Sequence, residues 1–236
     1  MLELVIADGG SSSVAALARA AGVPAATAHR QVASLVEEGY LALSPGGGHV
    51  AGKRLLRLVH GLDEKQLIVN FAAPMLHKLA RELRCVAQLG TLENNMVTYR
   101  VKSGVGAGGL FTQVGMQLEA YCSAVGKALL AHLPQQDRED YLAGGPFVPL
   151  TGNTIVTPDD LAREFEQTRE RGYAVDNEEA LPGLYCLAAP LMKPDGTVVA
   201  AISVSHMKSS QTPLNVNKVL RHLLPTAREI ERISFQ

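Results

Sequence analysis

A thiol and two hydroxyl groups are carried by two neighbouring apolar segments near the end of the chain. Cys186 lies in LYCLAAPL, and Ser203 and Ser205 end the segment TVVAAISVS. The residues between them, KPDG at 193–196, are typical of a tight turn, because proline presets one backbone dihedral and glycine accepts the left-handed one. The pattern predicts an antiparallel hairpin of two strands.

Two registers of this hairpin bring the thiol and the hydroxyls together. If Met192 faces Thr197, Cys186 faces Ser203; if the loop is only two residues long, Cys186 faces Ser205. In both registers the three side chains share one face, because side chains alternate along a strand, whereas a three-residue loop with a bulge would break the pattern. Buried hydroxyls need hydrogen-bond partners. A ligand carboxylate or a neighbouring backbone group can supply them.

Cys186 is also the candidate nucleophile if the chain is an enzyme. A reactive thiol needs a neighbouring base, and the seven histidines form neither an HxxxH nor an HExxH pair. A cysteine in an apolar strand is more often a small core residue. We therefore expect no catalytic site, and keep as the alternative an enzyme acting on a small organic acid through Cys186 or Asp176.

Two glycine-rich stretches resemble nucleotide-binding motifs without fulfilling them. Residues 104–109 contain the letters GxGxxG, but LFTQ and then Gly115 follow, where a dinucleotide site needs a helix to open. Residues 47–53 fit GxxxxGK, but Arg54 stands where a phosphate loop needs serine or threonine for magnesium. We expect plain loops and no cofactor.

Composition and cysteine usage restrict the class of protein. The chain has 236 residues, 47% of them hydrophobic and 19% charged, which is enough for two buried cores. Cys85, Cys122 and Cys186 are far apart and odd in number, which argues against a disulfide framework or a zinc cluster and for a reducing cytoplasm. Neither a signal peptide nor an apolar run of about 18 residues is present, so we expect no membrane partner.

The first fifty residues have the pattern of a winged helix-turn-helix. Ser13 can cap a helix that ends near Gly22, with Ala18 as the small residue where two helices cross. A second helix follows from Ala25, and a short strand, a glycine-rich turn and another short strand follow that helix. The residues predicted to contact DNA lie at the start of the second helix and on the wing; they are Ala25, Thr27, His29, Arg30 and His49.

Charge gives little support to the prediction of DNA binding. Residues 1–60 hold five basic and four acidic side chains, and the whole chain has a net charge of -1. The prediction of DNA binding therefore depends on the pattern. We predict a DNA-binding domain over 1–58, a linker helix over 59–70 and a second domain over 71–236.

The second domain is predicted to be α+β, with an antiparallel sheet covered by helices. Helices are predicted at Ala72–Leu83 and Ser123–His132 and from Thr157 and Thr212, a loop at Ser103–Gly109, and strands at Cys85–Leu92, Val97–Val101, Tyr173–Val175, Leu184–Met192 and Thr197–Ser205.

Three segments resemble the IclR family of bacterial transcriptional regulators. They are LARAAGVPAATAHRQVASLVEEGYL, EAYCSAVGKALLAHLP and RERGYAVDNEEALPGLYCLAAPLMKPDGTVVAAISVS, in the family's order and spacing. The resemblance covers about residues 14–206. It implies a winged helix-turn-helix, a helical linker, a GAF-like α/β effector domain, and a homodimer that often pairs into a tetramer.

The resemblance also implies which residues bind an effector, typically a small organic or aromatic acid. They are Ala124 and Val125, through backbone amides at a helix start, with Asp176, Cys186, Ser203 and Ser205. An ionised Asp176 would repel an anionic ligand, so it must be protonated, point away, or bind a ligand hydroxyl. The expected function is a ligand-responsive regulator that binds operator DNA. A ligand-binding module that no longer binds DNA is a further alternative.

Overall fold

The computed structural model describes residues 1–61, 64–104, 110–207 and 215–235. Contacts divide the chain into two compact units, residues 1–63 and 64–236. The division falls inside the predicted linker, and the finer domain limits stay a prediction.

The first unit is a small helical domain with a two-stranded sheet. Its elements are α1 (Leu2–Asp8), α2 (Val14–Ala20), α3 (Ala25–Glu37), β1 (Leu41–Leu43), β2 (His49–Ala51) and α4 (Lys53–Gly61). Ser13 caps α2 as predicted, because its Oγ accepts a hydrogen bond from the Ala16 amide at 3.3 Å. Gly22 ends the turn before α3 with φ of 65°, a left-handed conformation that favours glycine.

The core of this unit holds α3 against its neighbours. Ala18 of α2 is 1% exposed and Ala28 of α3 is fully buried, so both are small residues in the packed core. β1 and β2 pair antiparallel, with Leu41 opposite Ala51. The result is the predicted winged helix-turn-helix.

The second unit is an α+β domain. Its elements are α5 (Glu64–Leu83), β3 (Val86–Glu93), β4 (Met96–Gly104), β5 (Gln117–Glu119), α6 (Ala124–Ala131), α7 (Gln135–Ala143), α8 (Pro158–Arg171), β6 (Ala174–Asn177), β7 (Leu184–Met192), β8 (Val198–Met207) and α9 (Val216–Phe235). The strands form one six-stranded sheet in the order β5-β4-β3-β8-β7-β6, with every neighbouring pair antiparallel. This arrangement confirms the predicted fold class.

The two faces of the sheet bury different helices, because side chains alternate along each strand. One face packs against α5 and α9, and the opposite face packs against α6 and α8. Cys186 lies on the α6 face, together with Ala188 and Ala201. That face therefore carries the candidate site.

The β7–β8 hairpin has the pairing of the second predicted register together with a three-residue loop and a bulge. Cys186 lies opposite Ser205 and Ala188 opposite Ser203, which is the second register. The loop is nevertheless three residues long, because the Lys193 amide donates to the Thr197 carbonyl at 2.9 Å. A register shift beside Met192 compensates for the odd-numbered loop, so the three polar side chains still share a face. The expectation that a three-residue loop with a bulge breaks this pattern is therefore wrong.

Several predicted limits are wrong. The helix predicted at Ala72–Leu83 begins at Glu64 and runs through Pro74, because a proline removes only one helical hydrogen bond when tertiary contacts hold the rest. β5 and α7 were not predicted. Residues 105–109 of the predicted glycine loop and the predicted helix start at Thr212 lie outside the described residues.

Candidate functional site

A narrow cavity lies on the α6 face of the sheet. Its volume is about 10 Å³. That is room for about one water, so a larger ligand must widen the cavity. Its lining residues are Gln88, Tyr99, Leu110, Phe111, Thr112, Leu118, Ser123, Ala124, Val125, Asp176, Ala180, Leu184, Cys186, Ser203 and Ser205.

All six residues predicted to bind an effector line this one cavity; they are Ala124, Val125, Asp176, Cys186, Ser203 and Ser205. Ala124 and Val125 come from the start of α6, and the others come from three adjacent strands. The structure thus brings together side chains that are up to 81 residues apart in the chain.

The start of α6 presents unpaired backbone donors to the cavity. Ser123 caps the helix, since its Oγ accepts from the Gly126 amide at 3.0 Å. Among the described residues, the amides of Ala124 and Val125 have no acceptor. Unpaired amides and the positive end of the helix dipole together favour an anion. Glycine is required at 126, because a Cβ there would lie 2.1 Å from the Ala120 carbonyl oxygen.

Two further hydroxyls line the cavity without a hydrogen-bond partner among the described residues. Ser203 is 2% exposed and Tyr99 is 4% exposed, and no hydrogen bond forms to either hydroxyl within the described ranges, although neither oxygen is among the fully buried atoms without a partner. Burial also raises the pKa of Tyr99, so its phenol stays protonated and can donate. Both residues line the cavity, where a ligand acceptor could bind their hydroxyls.

A chain of hydrogen bonds crosses the sheet beside these hydroxyls. The Cys186 thiol donates to Ser205 Oγ at 3.2 Å, and Ser205 Oγ donates to Gln88 Oε1 at 3.3 Å. Gln88 Nε2 donates to Thr112 Oγ1 at 2.8 Å. Lys102 Nζ then donates to the carbonyl oxygens of Leu110 and Thr112. The chain ties the floor of the cavity to the segment that covers it.

Asp176 is buried and accepts two backbone hydrogen bonds. Its Oδ1 accepts from the amides of Glu179 at 2.7 Å and Ala180 at 3.4 Å. Burial raises the pKa of the Asp176 carboxyl to about 6, against the lowering effect of those bonds and of Lys127. The carboxyl is therefore largely ionised at neutral pH. Of the three alternatives given above for Asp176, that it is protonated, points away or binds a ligand hydroxyl, the first is the least favoured.

A buried ion pair lies next to Asp176 and was not predicted. Lys127 of α6 is 1% exposed, and its Nζ lies 2.5 Å from Glu179 Oε1 and 3.3 Å from Glu164 Oε1. Burial raises the pKa of Glu179 to about 7, although Lys127 opposes the shift, and Glu179 Oε2 has no partner. A lysine inside the apolar run AVGKALLA was the available signal.

The structure gives no support to nucleophilic or metal chemistry at this site. Burial raises the pKa of Cys186 well above its ordinary value, which disfavours the reactive thiolate. Within the described ranges, no cluster of three histidine, cysteine or carboxylate side chains is placed to hold a metal ion.

The predicted DNA-contacting residues differ in exposure. Ala25, His29 and Arg30 of α3 are exposed, whereas Thr27 and His49 are partly buried. Arg30 forms no hydrogen bond or ion pair within the part of the chain that the structure describes. Its guanidinium is therefore available to a phosphate or a guanine.

A winged helix-turn-helix joined to an α+β domain with an internal cavity defines a class of DNA-binding regulators. Residues 1–45 match the IclR helix-turn-helix domain, and residues 60–232 match the family described as bacterial transcriptional regulator IclR C-terminal. The chain belongs to the IclR family of bacterial transcriptional regulators, which confirms the predicted family.

Relatives and solved structures agree with this assignment. The HTH-type transcriptional regulator KipR of Bacillus subtilis is 26% identical over 225 residues, which cover 93% of this chain and 90% of KipR. The repressor BlcR of Agrobacterium tumefaciens superposes with a TM-score of 0.70 at 26% identity, covering 98% of this chain and 92% of BlcR. An IclR homologue from Microbacterium hydrocarbonoxydans, solved with 4-hydroxybenzoate, superposes with a TM-score of 0.64 at 24% identity, covering 98% and 96%. These relatives are named as regulators, not as enzymes.

None of the described helices is both long and apolar enough to cross a membrane.

Proposed function

We propose that this regulator binds operator DNA through α3 and binds a small carboxylic acid in the cavity beside α6. The observation that carries the proposal is the set of unsatisfied donors around one enclosed space: the amides of Ala124 and Val125 and the hydroxyls of Ser203 and Tyr99. Such a set of donors matches the oxygens of a carboxylate.

The strength of binding follows from these donors. Each hydrogen bond to a charged group contributes about 1.5–3 kcal/mol, so three of them contribute about 4.5–9 kcal/mol, and micromolar affinity, about 8 kcal/mol, also needs burial of the apolar part of the ligand. Part of that free energy is used to widen the cavity, which is nearly closed. Because a ligand shifts only an equilibrium between states that it binds differently, the widened state must also differ in its preference for DNA.

The 4-hydroxybenzoate complex concerns a protein that is 24% identical to this chain, and establishes the shared fold alone. The proposed ligand class is therefore argued from the donors in this cavity. The same class is what the motif resemblance implied.

DNA binding is proposed to need a dimer of the chain, acting in the cytoplasm. One α3 covers only a few base pairs, and two copies could bind half-sites about 34 Å apart or at multiples of that distance. Leu4 and Ile6 of α1 and Leu58 and Val59 of α4 are large apolar side chains that the first unit leaves exposed. A second copy is the proposed partner for these faces, as a homodimer or a pair of dimers.

A gel-shift titration tests the DNA-binding part, with the full chain and the intergenic DNA beside its own gene. Replacing Arg30 by alanine should weaken specific binding by about 1–3 kcal/mol, or roughly 5- to 150-fold. Arg232→Ala, which removes an exposed cation of α9, should leave binding unchanged. Equal affinities of the wild type and Arg30→Ala for the operator would contradict the role of α3.

Calorimetry with a panel of monocarboxylic acids tests the effector part. Ser203→Ala should weaken the tightest-binding acid by about tenfold, because one hydrogen bond to the carboxylate is lost. Thr226→Ala on α9, whose hydroxyl donates to the His222 carbonyl, is the matched control and should bind as the wild type does. If no acid in the panel binds, or if none changes the affinity for DNA, the proposed effector class is wrong.

A further inference from the structure

The first turn of α4 is bonded to the residues that follow α3. The Gly52 amide, just before α4, donates to the Tyr40 carbonyl at 2.8 Å, and the Arg54 amide donates to the Gly39 carbonyl at 3.1 Å. Gly52 lies so close to this segment that a Cβ would be 2.3 Å from the Gly39 carbonyl oxygen. The chain therefore enters α4 from a fixed point at the end of α3.

The side chain of Arg54 adds a third attachment at the same place. Its guanidinium donates to the Glu38 carbonyl oxygen at 3.0 Å, pairs with the Glu38 carboxylate, and lies 4.7 Å from the centre of the Tyr40 ring. Glu38 is the C-cap of α3, where carbonyl oxygens lack partners within the helix and the helix dipole is negative. The ion pair alone is half-exposed and contributes little, but the carbonyl bond and the ring contact also fix the direction of the guanidinium.

The two backbone bonds alone would leave α4 free to turn. Two attachment points define one axis, and rotation about that axis changes the angle between α3 and α4. The Arg54 side chain lies off this axis and opposes the rotation. Further along α4, Leu58 and Val59 are exposed, so the attachment is concentrated in the first turn. We call the contacts of residues 38–40 with 52–54 the α3–α4 joint.

The angle at the α3–α4 joint affects where α3 meets DNA. α4 is the last helix of the first unit, so the chain leaves this unit through it. α3 has 13 residues and is about 20 Å long. A rotation of about 10° at its C-terminal end moves its start by about 3.5 Å, about the rise of one base pair. In a dimer, such a movement changes the spacing of the half-sites that two copies of α3 can reach.

We propose that Arg54 is the positioning residue that sets the angle between α3 and α4, and that it thereby selects the half-site spacing of the operator. This inference rests on the proposed function, in which two copies of α3 bind DNA. A change in the direction of α4 reaches α3 through the same contacts.

A spacing series tests the role of Arg54 in the full-length chain. The probes are the operator segment that the wild type protects in the intergenic DNA, with single base pairs added or removed between its half-sites. In gel-shift titrations the wild type should bind one spacing at least about tenfold more tightly than its neighbours, because one base pair also turns a half-site by about 34°.

In Arg54→Met this ratio should fall to about threefold or less, because methionine keeps the bulk of the side chain but cannot donate to Glu38. Arg57→Met is the matched control, since it removes the same charge from an exposed position on the same helix, and it should keep the wild-type ratio. An unchanged ratio in Arg54→Met would overturn the inference.

Salt dependence separates positioning from direct contact with DNA. If Arg54 bound a phosphate, its loss would lower the slope of log affinity against log salt by about one, equally at every spacing. The slope of Arg54→Met should instead equal that of the wild type. A slope lower by about one, with an unchanged spacing ratio, would show that Arg54 contacts DNA and does not position α3.

Gly52→Ala perturbs the α3–α4 joint without changing a charge. The added Cβ would meet the Gly39 carbonyl oxygen at 2.3 Å, so the two segments must move apart, and the preferred spacing should shift or weaken. Gly152→Ala, where a Cβ meets no atom within 4 Å, is the control and should bind as the wild type does. A Gly52→Ala protein that is folded by circular dichroism and keeps the wild-type spacing and ratio would contradict the role of the joint.

Failure of the two proposals can be told apart. If the wild type does not bind the intergenic DNA, or if Arg30→Ala binds it equally well, the proposed role of α3 is wrong. If binding depends on Arg30 but the wild type has no preferred spacing, or the preference survives in Arg54→Met, only the role of Arg54 is wrong.

Discussion

Replacing Lys127 by methionine should destabilise the second unit strongly. Lys127 is 1% exposed, and it provides the only positive charge within 4 Å of Glu179 among the described residues. Methionine fills most of the same space, so the loss is chiefly electrostatic. Glu179, which is 4% exposed and has an unpartnered Oε2, would be left buried without its cation.

The expected cost at pH 8 is about 1–3 kcal/mol, the range for leaving a buried polar group without its partner, because Glu179 can take up a proton and need not stay charged. The cost should shrink on acidification. Glu179 already has its pKa raised to about 7 by burial, and loss of Lys127 would raise that pKa further. Below the new pKa the carboxyl is neutral, so the pH-dependent part of the cost is limited to about 1.4 kcal/mol at pH 8, one pH unit above the present pKa, and is close to zero at pH 5.

Urea unfolding at pH 8 and pH 5 measures this effect. The double variant Lys127→Met with Glu179→Gln should recover much of the loss at pH 8, because no uncompensated charge remains. Lys78→Met is the control, since Lys78 is an exposed lysine 3.9 Å from Glu82, and should cost less than about 0.5 kcal/mol. A cost below about 1 kcal/mol, or one equal at the two pH values, would refute the reasoning.

Three further predictions concern other described features. Burial raises the pKa of Asp176 from 3.8 to about 6 and that of Glu179 from 4.5 to about 7, so the stability from these groups is fully present below about pH 4 and is lost as the pH rises from about 4 to 7. Unfolding at a series of pH values in this range should show a slope that Asp176→Asn with Glu179→Gln reduces, and an unchanged slope would contradict it. Gly126→Ala should cost about 1–3 kcal/mol, because its Cβ would meet the Ala120 carbonyl at 2.1 Å, and a fully stable variant in a thermal melt would show that α6 can shift. Ser13→Ala should cost the first unit about 1 kcal/mol through loss of the α2 cap, measured by urea unfolding of that unit's signal; Ser13→Gly should lose only a few tenths, and equal losses would argue against capping.

The sequence predicted the structure best where residues adjacent in the chain determine it. The cap at Ser13 and the turn at Gly22 depend on a few consecutive residues and form as expected. The hairpin at 193–196 also forms, with one of the two predicted pairings but with a three-residue loop and a bulge. The hairpin also placed Cys186 and Ser205 side by side. The motif resemblance supplied Ala124, Val125 and Asp176.

The remaining cavity residues depend on pairings between distant strands. Gln88 and Tyr99 reach the site because β3 pairs with β8 and β4 pairs with β3, and nothing local in either strand specifies that order. Thr112 enters through its bond to Gln88, across 24 residues. β5 is only three residues long, too short for alternation to be recognised.

Because all three cysteines are buried, the folded chain should react slowly with thiol reagents. Burial raises the pKa of Cys85 to about 11 and of Cys122 to about 12, and Cys186 is raised as well, so the thiolate that reacts is scarce at neutral pH. Alkylation therefore requires the surrounding structure to open. Cys85 lies on the α5–α9 face and Cys186 lines the cavity. Their separate labelling rates would therefore report how often the structure opens on each side of the sheet. An effector that widens the cavity would increase the labelling rate of Cys186 and leave the labelling rate of Cys85 unchanged.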